Sequence, residues 1–195
     1  MTHASSLLLA CLFPFAAMAA PETYSVDPTE TIPSFSVSHF GMSTTQGHFE
    51  RTTGTIMLDR AAKTGSIEIK TPTATVSSGD SKRTDGKRSR DEHLRTTDFF
   101  NSAEFPDMIY KSTKLNFNGD KLESVDGNLT LLGVTKPLKL TATFFNCGPN
   151  PFSKKEMCGA DLNGSLKRTD FGMKYGVPAI GDEIKLTIRV EAYKE

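Results

Sequence analysis

Residues 184–192 read IKLTIRVEA, and this stretch decides the fold of the chain. An apolar residue stands at every second position, with lysine, threonine, arginine and glutamate between them. Alternation with a period of two is typical of a β-strand that has one buried face. The stretch therefore predicts a strand whose apolar side lies on a core and whose polar side meets water.

The same alternation recurs in shorter runs along the chain. Turn signals separate these runs, for example Lys63-Thr64-Gly65 and Gly119-Asp120. No long amphipathic helix is predicted. Two short helical turns are predicted in residues 80–90 and 91–100, where serine, threonine and aspartate residues can act as caps. The pattern indicates about eight strands, mostly connected as an antiparallel meander.

A single domain of 195 residues can bury so many strands only against one shared face. A closed barrel or a sandwich achieves this. The sequence contains no internal repeat and no linker, so we predict one domain. An eight-stranded barrel is filled by its own side chains or holds one small ligand. The alternation alone does not decide between these two kinds of interior.

The composition fits a globular protein, with 37% hydrophobic and 24% charged residues. The formal net charge is zero. A chain without excess positive charge is poorly suited to non-specific binding of nucleic acid, so we expect no nucleic-acid partner.

The first 19 residues have a different character. An apolar run extends from Leu7 to Met18, no charged side chain of Lys, Arg, Asp or Glu precedes Glu22, and AMA at 17–19 fits a signal-peptidase site. We predict a cleaved signal peptide, residues 1–19, and a mature chain of residues 20–195. A competing interpretation takes LLAC at 8–11 as a lipoprotein box with a lipid anchor on Cys11.

Removal of the signal peptide leaves Cys147 and Cys158 as an even pair. In an oxidising compartment, two cysteines that flank one short polar connection favour a disulfide, which stabilises a small domain by about 2–4 kcal/mol. The sequence has no CxxC motif and no histidine near this pair, so a redox or metal site has little support.

A second stretch carries functional information. Residues 90–112, RDEHLRTTDFFNSAEFPDMIYKS, join an acidic, histidine and basic cluster to Phe99, Phe100 and Phe105. The pattern RDxHLRxxDFFxxxxFP resembles the YceI-like proteins, a periplasmic family that binds polyisoprenoids in a lipocalin-like barrel. Three further segments agree in chain order: 24–49 (YSVDP…FSVSHFGMSTTQGHF), 127–138 (GNLTLLGVTKPL) and 166–173 (LKRTDFGM).

The resemblance implies a single all-β, antiparallel, lipocalin-like barrel with one or two short helices. It also implies an apolar tunnel that holds an isoprenoid-type amphiphile, such as a polyprenyl phosphate or an isoprenoid quinone. Alternation selects the residues that we expect to line the tunnel, and the motif places Phe99, Phe100 and Phe105 at one end of the barrel. The expected lining residues are Phe35, Val37, Phe49, Ile56, Leu58, Ile67, Ile69, Leu129, Leu131, Leu140, Phe144 and Ile188, with Phe99 and Phe100 from the motif.

Polar contacts to a ligand's head group are expected from His39, His93 and Arg95. The histidines lack metal-ligand spacing, and no nucleophile motif accompanies them, so we predict neither a metal, a cofactor nor an enzyme activity. Asp91, His93 and Arg95 are expected to form a structural cluster of ion pairs and caps. The charged stretch 77–95 is either a solvated loop or a lid over the barrel mouth.

Two other functions stay open at this point. One is a stress-response or structural barrel that is filled by its own side chains and binds no lipid. The other is a barrel enzyme with His39 or His93 as a base. Partners beyond the lipid, namely a second copy of the chain or a membrane donor or acceptor protein, are also left open.

Overall fold

The regular structure is almost entirely β-strand in a computed structural model that describes residues 20–195. The predicted signal peptide and Cys11 lie outside the described residues. The strands are β1 (Glu22–Val26), β2 (Ile32–His39), β3 (Ser43–Phe49), β4 (Thr53–Asp59), β5 (Thr64–Pro72), β6 (Val76–Ser77), β7 (Asp107–Asn118), β8 (Lys121–Leu131), β9 (Val134–Pro149), β10 (Glu156–Lys167) and β11 (Ile180–Lys194). The helical elements are α1 (Arg90–Leu94) and two 3-10 turns, Thr73–Thr75 and Arg168–Phe171.

The strands close into one antiparallel barrel. The hydrogen-bonded order is β1-β4-β5-β7-β8-β9-β10-β11-β2-β3-β6, and β1 also pairs with β11. Three of the eight barrel strands consist of two segments in line: β1 with β2, β3 with β4, and β5 with β6. The predicted lipocalin-like antiparallel barrel of about eight strands is therefore confirmed.

The break between β1 and β2 shows how an interrupted strand keeps the wall closed. Residues 27–31 leave the ladder, yet the Thr31 hydroxyl lies 3.1 Å from both the backbone nitrogen and the carbonyl oxygen of Glu191. Asp27 donates its backbone N–H to the same carbonyl at 2.8 Å. A buried side chain thus replaces the missing backbone partner, as the cost of an unpaired buried polar group requires.

The barrel has two dissimilar ends. The helix end carries α1 and residues 95–106, together with the turns at 40–42 and 132–133 and the loop 172–179. The disulfide end carries the turns at 60–63, 119–120 and 150–155. No helix among residues 20–195 is long and apolar enough to cross a membrane.

Only one of the two predicted helical turns forms an α-helix. α1 begins after Ser89, whose side chain accepts the N–H of Glu92 while the Glu92 carboxylate accepts the N–H of Ser89. This reciprocal capping box fixes the start of the helix. Residues 80–89 contain no helix, and the prediction there was wrong, because Asp80 accepts the N–H of Arg90 from across the loop instead of starting a helix of its own.

A candidate apolar ligand-binding site

An apolar cavity extends along the barrel interior. The part of the cavity that the centre of a water molecule can reach has a volume of about 210 Å³. A single water needs only about 10–15 Å³ of such volume, so the cavity is large enough for a ligand. Residues from all eight barrel strands line it, most of them apolar. The wall consists of Thr31, Pro33, Ser34, Phe35, Val37, Phe49, Ile56, Leu58, Ile67, Ile69, Thr71, Leu94, Phe99, Phe100, Met108, Tyr110, Leu115, Phe117, Leu122, Val125, Leu129, Leu131, Leu138, Leu140, Phe145, Cys158, Gly159, Ala160, Leu162, Leu166, Arg168, Met173, Ile180, Ile184, Leu186, Ile188 and Val190.

Inward-facing residues on several strands are not fully packed. Ile56, Ile67, Leu186 and Ile188 face the cavity but stay only half-buried. In a barrel filled by its own side chains, such residues would be buried against one another at close-packed density. The interior is therefore hollow, and this disfavours the filled structural barrel.

The helix end of the cavity is closed by a cluster of aromatic rings. The ring of Phe100 lies 5.3 Å from that of Phe49 and 6.4 Å from that of Phe35, centroid to centroid, and both pairs meet edge to face. Phe99 and Phe100 are buried here together with Val76, and Leu131, Phe171 and Met173 complete the cluster. Edge-to-face contacts add about 0.5–1.5 kcal/mol each to the burial of the rings. The motif stretch thus supplies the cover of the cavity at this end.

One charged residue reaches the cavity wall, and the sequence did not single it out. Arg168 is 2% exposed, and its guanidinium donates to the carbonyl oxygens of Gly181 (2.8 Å), Ile180 (2.9 Å) and Met173 (3.3 Å). Burial lowers the pKa of this guanidinium, and the nearby Asp182 carboxylate partly opposes that change. The motif at 166–173 was the sequence signal that could have identified Arg168, but the resemblance assigned no role to this residue.

Asp182 holds the turn that carries Arg168. Its carboxylate accepts the backbone N–H of Thr169 at 3.0 Å and the Thr169 hydroxyl at 2.9 Å. These hydrogen bonds, the backbone one foremost, lower the pKa of Asp182. A negative charge beside the buried guanidinium offsets part of the cost of burying it.

Alternation placed most of the expected lining residues correctly in space. Of the 14 residues expected to line the tunnel, 13 lie in the cavity wall. Their contact with a ligand stays a prediction. They are Phe35, Val37, Phe49, Ile56, Leu58, Ile67, Ile69, Phe99, Phe100, Leu129, Leu131, Leu140 and Ile188.

The inward position predicted for Phe144 is wrong. Its side chain is 55% exposed on the outer wall, and Phe145 lines the cavity in its place. The cause is a β-bulge: Ala142 pairs with Leu162 and Phe144 with Asp161, so Thr143 is an extra residue in β9. One inserted residue turns every following side chain to the opposite face.

The residues expected to contact a head group lie outside the cavity wall. The ring of His39 lies against that of Phe40, with centroids 4.0 Å apart. His93 Nε2 lies 2.7 Å from a carboxylate oxygen of Asp98. Arg95 donates to the carbonyl oxygens of Ala74 and Val76 at 2.8 and 3.1 Å. Each side chain is held by a neighbour at the helix end and does not point at the ligand space.

The predicted structural cluster around Asp91 takes a different form from an ion-pair network. Asp91 is 1% exposed and accepts the backbone N–H of Ser78 at 2.7 Å and the Ser78 hydroxyl at 2.5 Å. It therefore joins the start of the 78–89 loop to α1. The side chains of His93 and Arg95 have the other partners given above, so the three side chains tie separate segments together without pairing among themselves.

A second pocket of about 580 Å³, lined by both apolar and charged side chains, adjoins the cavity at the disulfide end. Leu58, Phe117 and Phe145 line both spaces. Four of the five charged residues here form ion pairs: Arg60 lies 3.4 Å from Glu22, and Lys63 contacts Asp120. The fifth, Asp59, accepts the backbone N–H of Ala62 at 2.7 Å. Among residues 20–195, no group of three or more His, Cys, Asp or Glu side chains is arranged to hold a metal ion.

Cys147 and Cys158 form the predicted disulfide. They stand opposite each other in β9 and β10, with Cα atoms 4.0 Å apart. The bond joins the two strands just before the turn at 150–155. Asn150 orders that turn by accepting the N–H groups of Phe152 and Ser153 at 2.9 Å.

An eight-stranded antiparallel barrel around an apolar cavity places this protein among the small barrels of lipocalin-like architecture. The chain belongs to the YceI-like family, since a family model described as the YceI-like domain matches residues 24–192. The match spans nearly all of the described barrel.

Individual relatives agree with this assignment. The protein YceI of Escherichia coli O6:H1 is 32% identical over 191 residues, which cover 97% of this chain and 96% of the relative. Burkholderia cenocepacia BcnA shares the fold with a TM-score of 0.67 at 19% identity, covering 85% of this chain and 98% of its own. A polyisoprenoid binding domain from Saccharophagus degradans, implicated in plant cell wall breakdown, has a TM-score of 0.63 at 16% identity, covering 88% and 98%.

Proposed function

We propose that this protein binds an isoprenoid-type amphiphile, a polyprenyl phosphate or an isoprenoid quinone, in its cavity and sequesters or carries it through the periplasm. The observation that carries the proposal is the continuous apolar cavity inside a closed barrel. The family membership and the polyisoprenoid-binding domain with the same fold support the same class of ligand.

The wall chemistry favours a long apolar tail. Burial of each methylene group contributes about 0.8 kcal/mol, so a prenyl chain gains affinity along its whole length without polar contacts. The polar side chains in the wall are few: Thr31, Ser34, Thr71 and Arg168, with the hydroxyl of Tyr110. A ligand with several internal polar groups would leave those groups unpaired, which costs free energy.

Arg168 defines the orientation that we propose for the ligand. Its three hydrogen bonds to carbonyl oxygens leave two of its five N–H groups for another acceptor. A phosphate or a quinone carbonyl at the helix end can accept from them, while the tail extends toward the disulfide end. The part of the wall formed by Phe117, Leu122 and Phe145 offers only apolar contacts to that tail.

Carriage without covalent chemistry is part of the proposal. An amphiphile that moves between membranes needs its tail shielded from water, and a closed barrel provides this shield. The predicted signal peptide and the disulfide fit export to an oxidising compartment such as the periplasm. His39 and His93 lie outside the cavity wall, which supports carriage without a histidine base.

Native mass spectrometry of the protein purified from its own periplasm, followed by solvent extraction, tests the proposal. We expect one bound molecule per chain, with fragments spaced by isoprene units. A protein that carries no adduct, and takes up neither polyprenyl phosphate nor quinone when these are added, would overturn the proposal.

Two neighbouring positions in β11 provide a matched pair of variants. Ile188 faces the cavity and Thr187 faces solvent. Ile188→Trp should fill the cavity and abolish the adduct, whereas Thr187→Trp should keep it. Equal loading of the two variants would place the ligand somewhere other than this cavity.

A further inference from the structure

Two adjacent loops at the helix end expose a set of large apolar side chains. Phe40 is 58% exposed, Met42 91%, Tyr175 47% and Val177 38%, and we call these four residues the rim patch. The loops are joined, because Phe40 donates its backbone N–H to the carbonyl oxygen of Ala179 at 2.6 Å. Clustered exposed apolar residues of this kind mark a surface that meets a partner.

Phe40 occupies a backbone position that disfavours a bulky residue. Its φ is 57° and that of Gly41 is 68°, so both central residues of the turn from His39 to Met42 are left-handed. Asparagine, aspartate and glycine are the usual residues in such turns, and a phenylalanine there costs about 1–2 kcal/mol. The chain therefore holds a largely exposed aromatic ring, packed on one side against the ring of His39, at the expense of local stability.

A basic segment lies at the same end of the barrel. Residues 78–90 contain five basic and two acidic side chains, although the whole chain has no net charge. Arg83 pairs with Asp85, whereas Lys82, Lys87, Arg88 and Arg90 are exposed and make no salt bridge within residues 20–195.

The basic segment and the rim patch are linked through α1. The ring of His93 in α1 lies 5.0 Å from that of Tyr175, centroid to centroid. Tyr175 in turn lies 5.3 Å from Phe99, which lines the cavity. The patch, the positive charge and the covered end of the cavity are thus neighbours.

We infer that the helix end is a docking surface for a bilayer that contains anionic phospholipid. Exposed aromatic and methionine side chains enter the interfacial region of a bilayer, while lysine and arginine side chains attract its anionic head groups. A second copy of the chain fits this surface less well, because the symmetric contact would bring two basic segments to one interface. Docking in this orientation brings the end covered by residues 90–106 against the lipid.

Docking to a bilayer is a property beyond ligand binding, and it is tested separately. Lipid-extracted protein is sedimented with vesicles of phosphatidylcholine alone and with vesicles of phosphatidylcholine and phosphatidylglycerol. We expect binding to the mixed vesicles that weakens as salt is raised, since screening removes the electrostatic part. Failure of the protein to load an isoprenoid would not change this result, so the two proposals can fail independently.

The rim patch is tested with a substitution that suits the turn. Phe40→Asn removes the ring and places a residue that favours a left-handed backbone, so we expect unchanged or higher stability and about tenfold weaker vesicle binding. Phe144→Asn is the matched control, because Phe144 is 55% exposed on the side of the barrel. Equal vesicle binding by both variants and the unchanged protein would overturn the docking surface.

The charge is tested with a double reversal, Lys87→Glu with Arg88→Glu. We expect binding to the mixed vesicles to fall by at least about tenfold, whereas Lys154→Glu with Lys155→Glu at the disulfide end should leave it unchanged. Equal losses for the two pairs would indicate a net-charge effect and overturn the assignment. A dimer that depends on Phe40, found by sedimentation together with no vesicle binding, would assign the patch to a second copy instead.

Discussion

The rings of Phe117 and Phe145 meet edge to face, with centroids 5.9 Å apart, where the apolar cavity adjoins the pocket at the disulfide end. Phe117 comes from β7 and Phe145 from β9, and both side chains line the two spaces. This aromatic pair forms the floor of the cavity for a ligand whose head group lies at the helix end. Its position would then set the length of tail that the cavity accepts.

Removal of one ring from this floor should change the cargo. We expect Phe145→Ala to shift the bound molecules toward longer tails, because the cavity becomes continuous with the pocket of about 580 Å³. The half-buried ring contributes about 1–2 kcal/mol to stability. Extraction and mass spectrometry would give the distribution of chain lengths. Phe144→Ala, one residue earlier and on the outer wall, should leave that distribution unchanged, and the same distribution in both variants would contradict the role of the floor.

Gly127 is required by the packing of the wall. A Cβ atom at this position would lie 2.5 Å from the Tyr110 ring and hydroxyl and 2.7 Å from the carbonyl oxygen of Lys111. We expect Gly127→Ala to lower the free energy of unfolding by about 1–3 kcal/mol, as overpacking does. In β9, Gly148→Ala is the control, since a Cβ there meets nothing within 4 Å. Urea denaturation would give both values, and equal midpoints would show that the wall can shift freely.

The sequence predicted the strands and much of the inner surface because alternation is a local property, whereas the choice of a barrel over a sandwich came from the resemblance to the YceI-like family. In β11, Ile184, Leu186 and Ile188 face inward as the pattern indicates. The bulge at Thr143 was not predicted, because no local sequence signal marks the extra residue. Its position is decided by the pairing of β9 with β10. The buried position of Arg168 was not predicted for a similar reason. Two of its carbonyl partners, in Ile180 and Gly181, lie more than ten residues away in the sequence and become neighbours only after folding.

The stability of the Arg168 turn should depend on pH through Asp182. Hydrogen bonds from Thr169 hold the pKa of this carboxyl below its ordinary value of 3.8. A group with a lowered pKa in the folded state stabilises the protein above its ordinary pKa, and this contribution is lost as the pH falls through the folded value. We therefore expect Asp182→Asn to be less stable than the unchanged protein at neutral pH, by about 1 kcal/mol or less for a largely solvated carboxylate.

Urea denaturation at neutral pH and below pH 3.8 would check the sign of this effect. The difference between Asp182→Asn and the unchanged protein should shrink in acid, as the Asp182 carboxyl becomes protonated in the folded state. Asp161→Asn, at an exposed position in β10, should change the free energy of unfolding little at either pH. A difference for Asp182→Asn that grows on acidification would contradict the assigned cause.

The disulfide should contribute to stability through the short loop that it closes. Cys147 and Cys158 are 11 residues apart in the sequence, and loop-closure entropy for such a span corresponds to about 3 kcal/mol. We expect Cys147→Ser with Cys158→Ser to lose roughly this free energy of unfolding while the barrel still closes, because the β9–β10 ladder continues on both sides of the pair. Reduction of the unchanged protein should reproduce the loss, and reductant should have no effect on the double variant. A reduced protein as stable as the oxidised one would show that the ladder alone holds this hairpin.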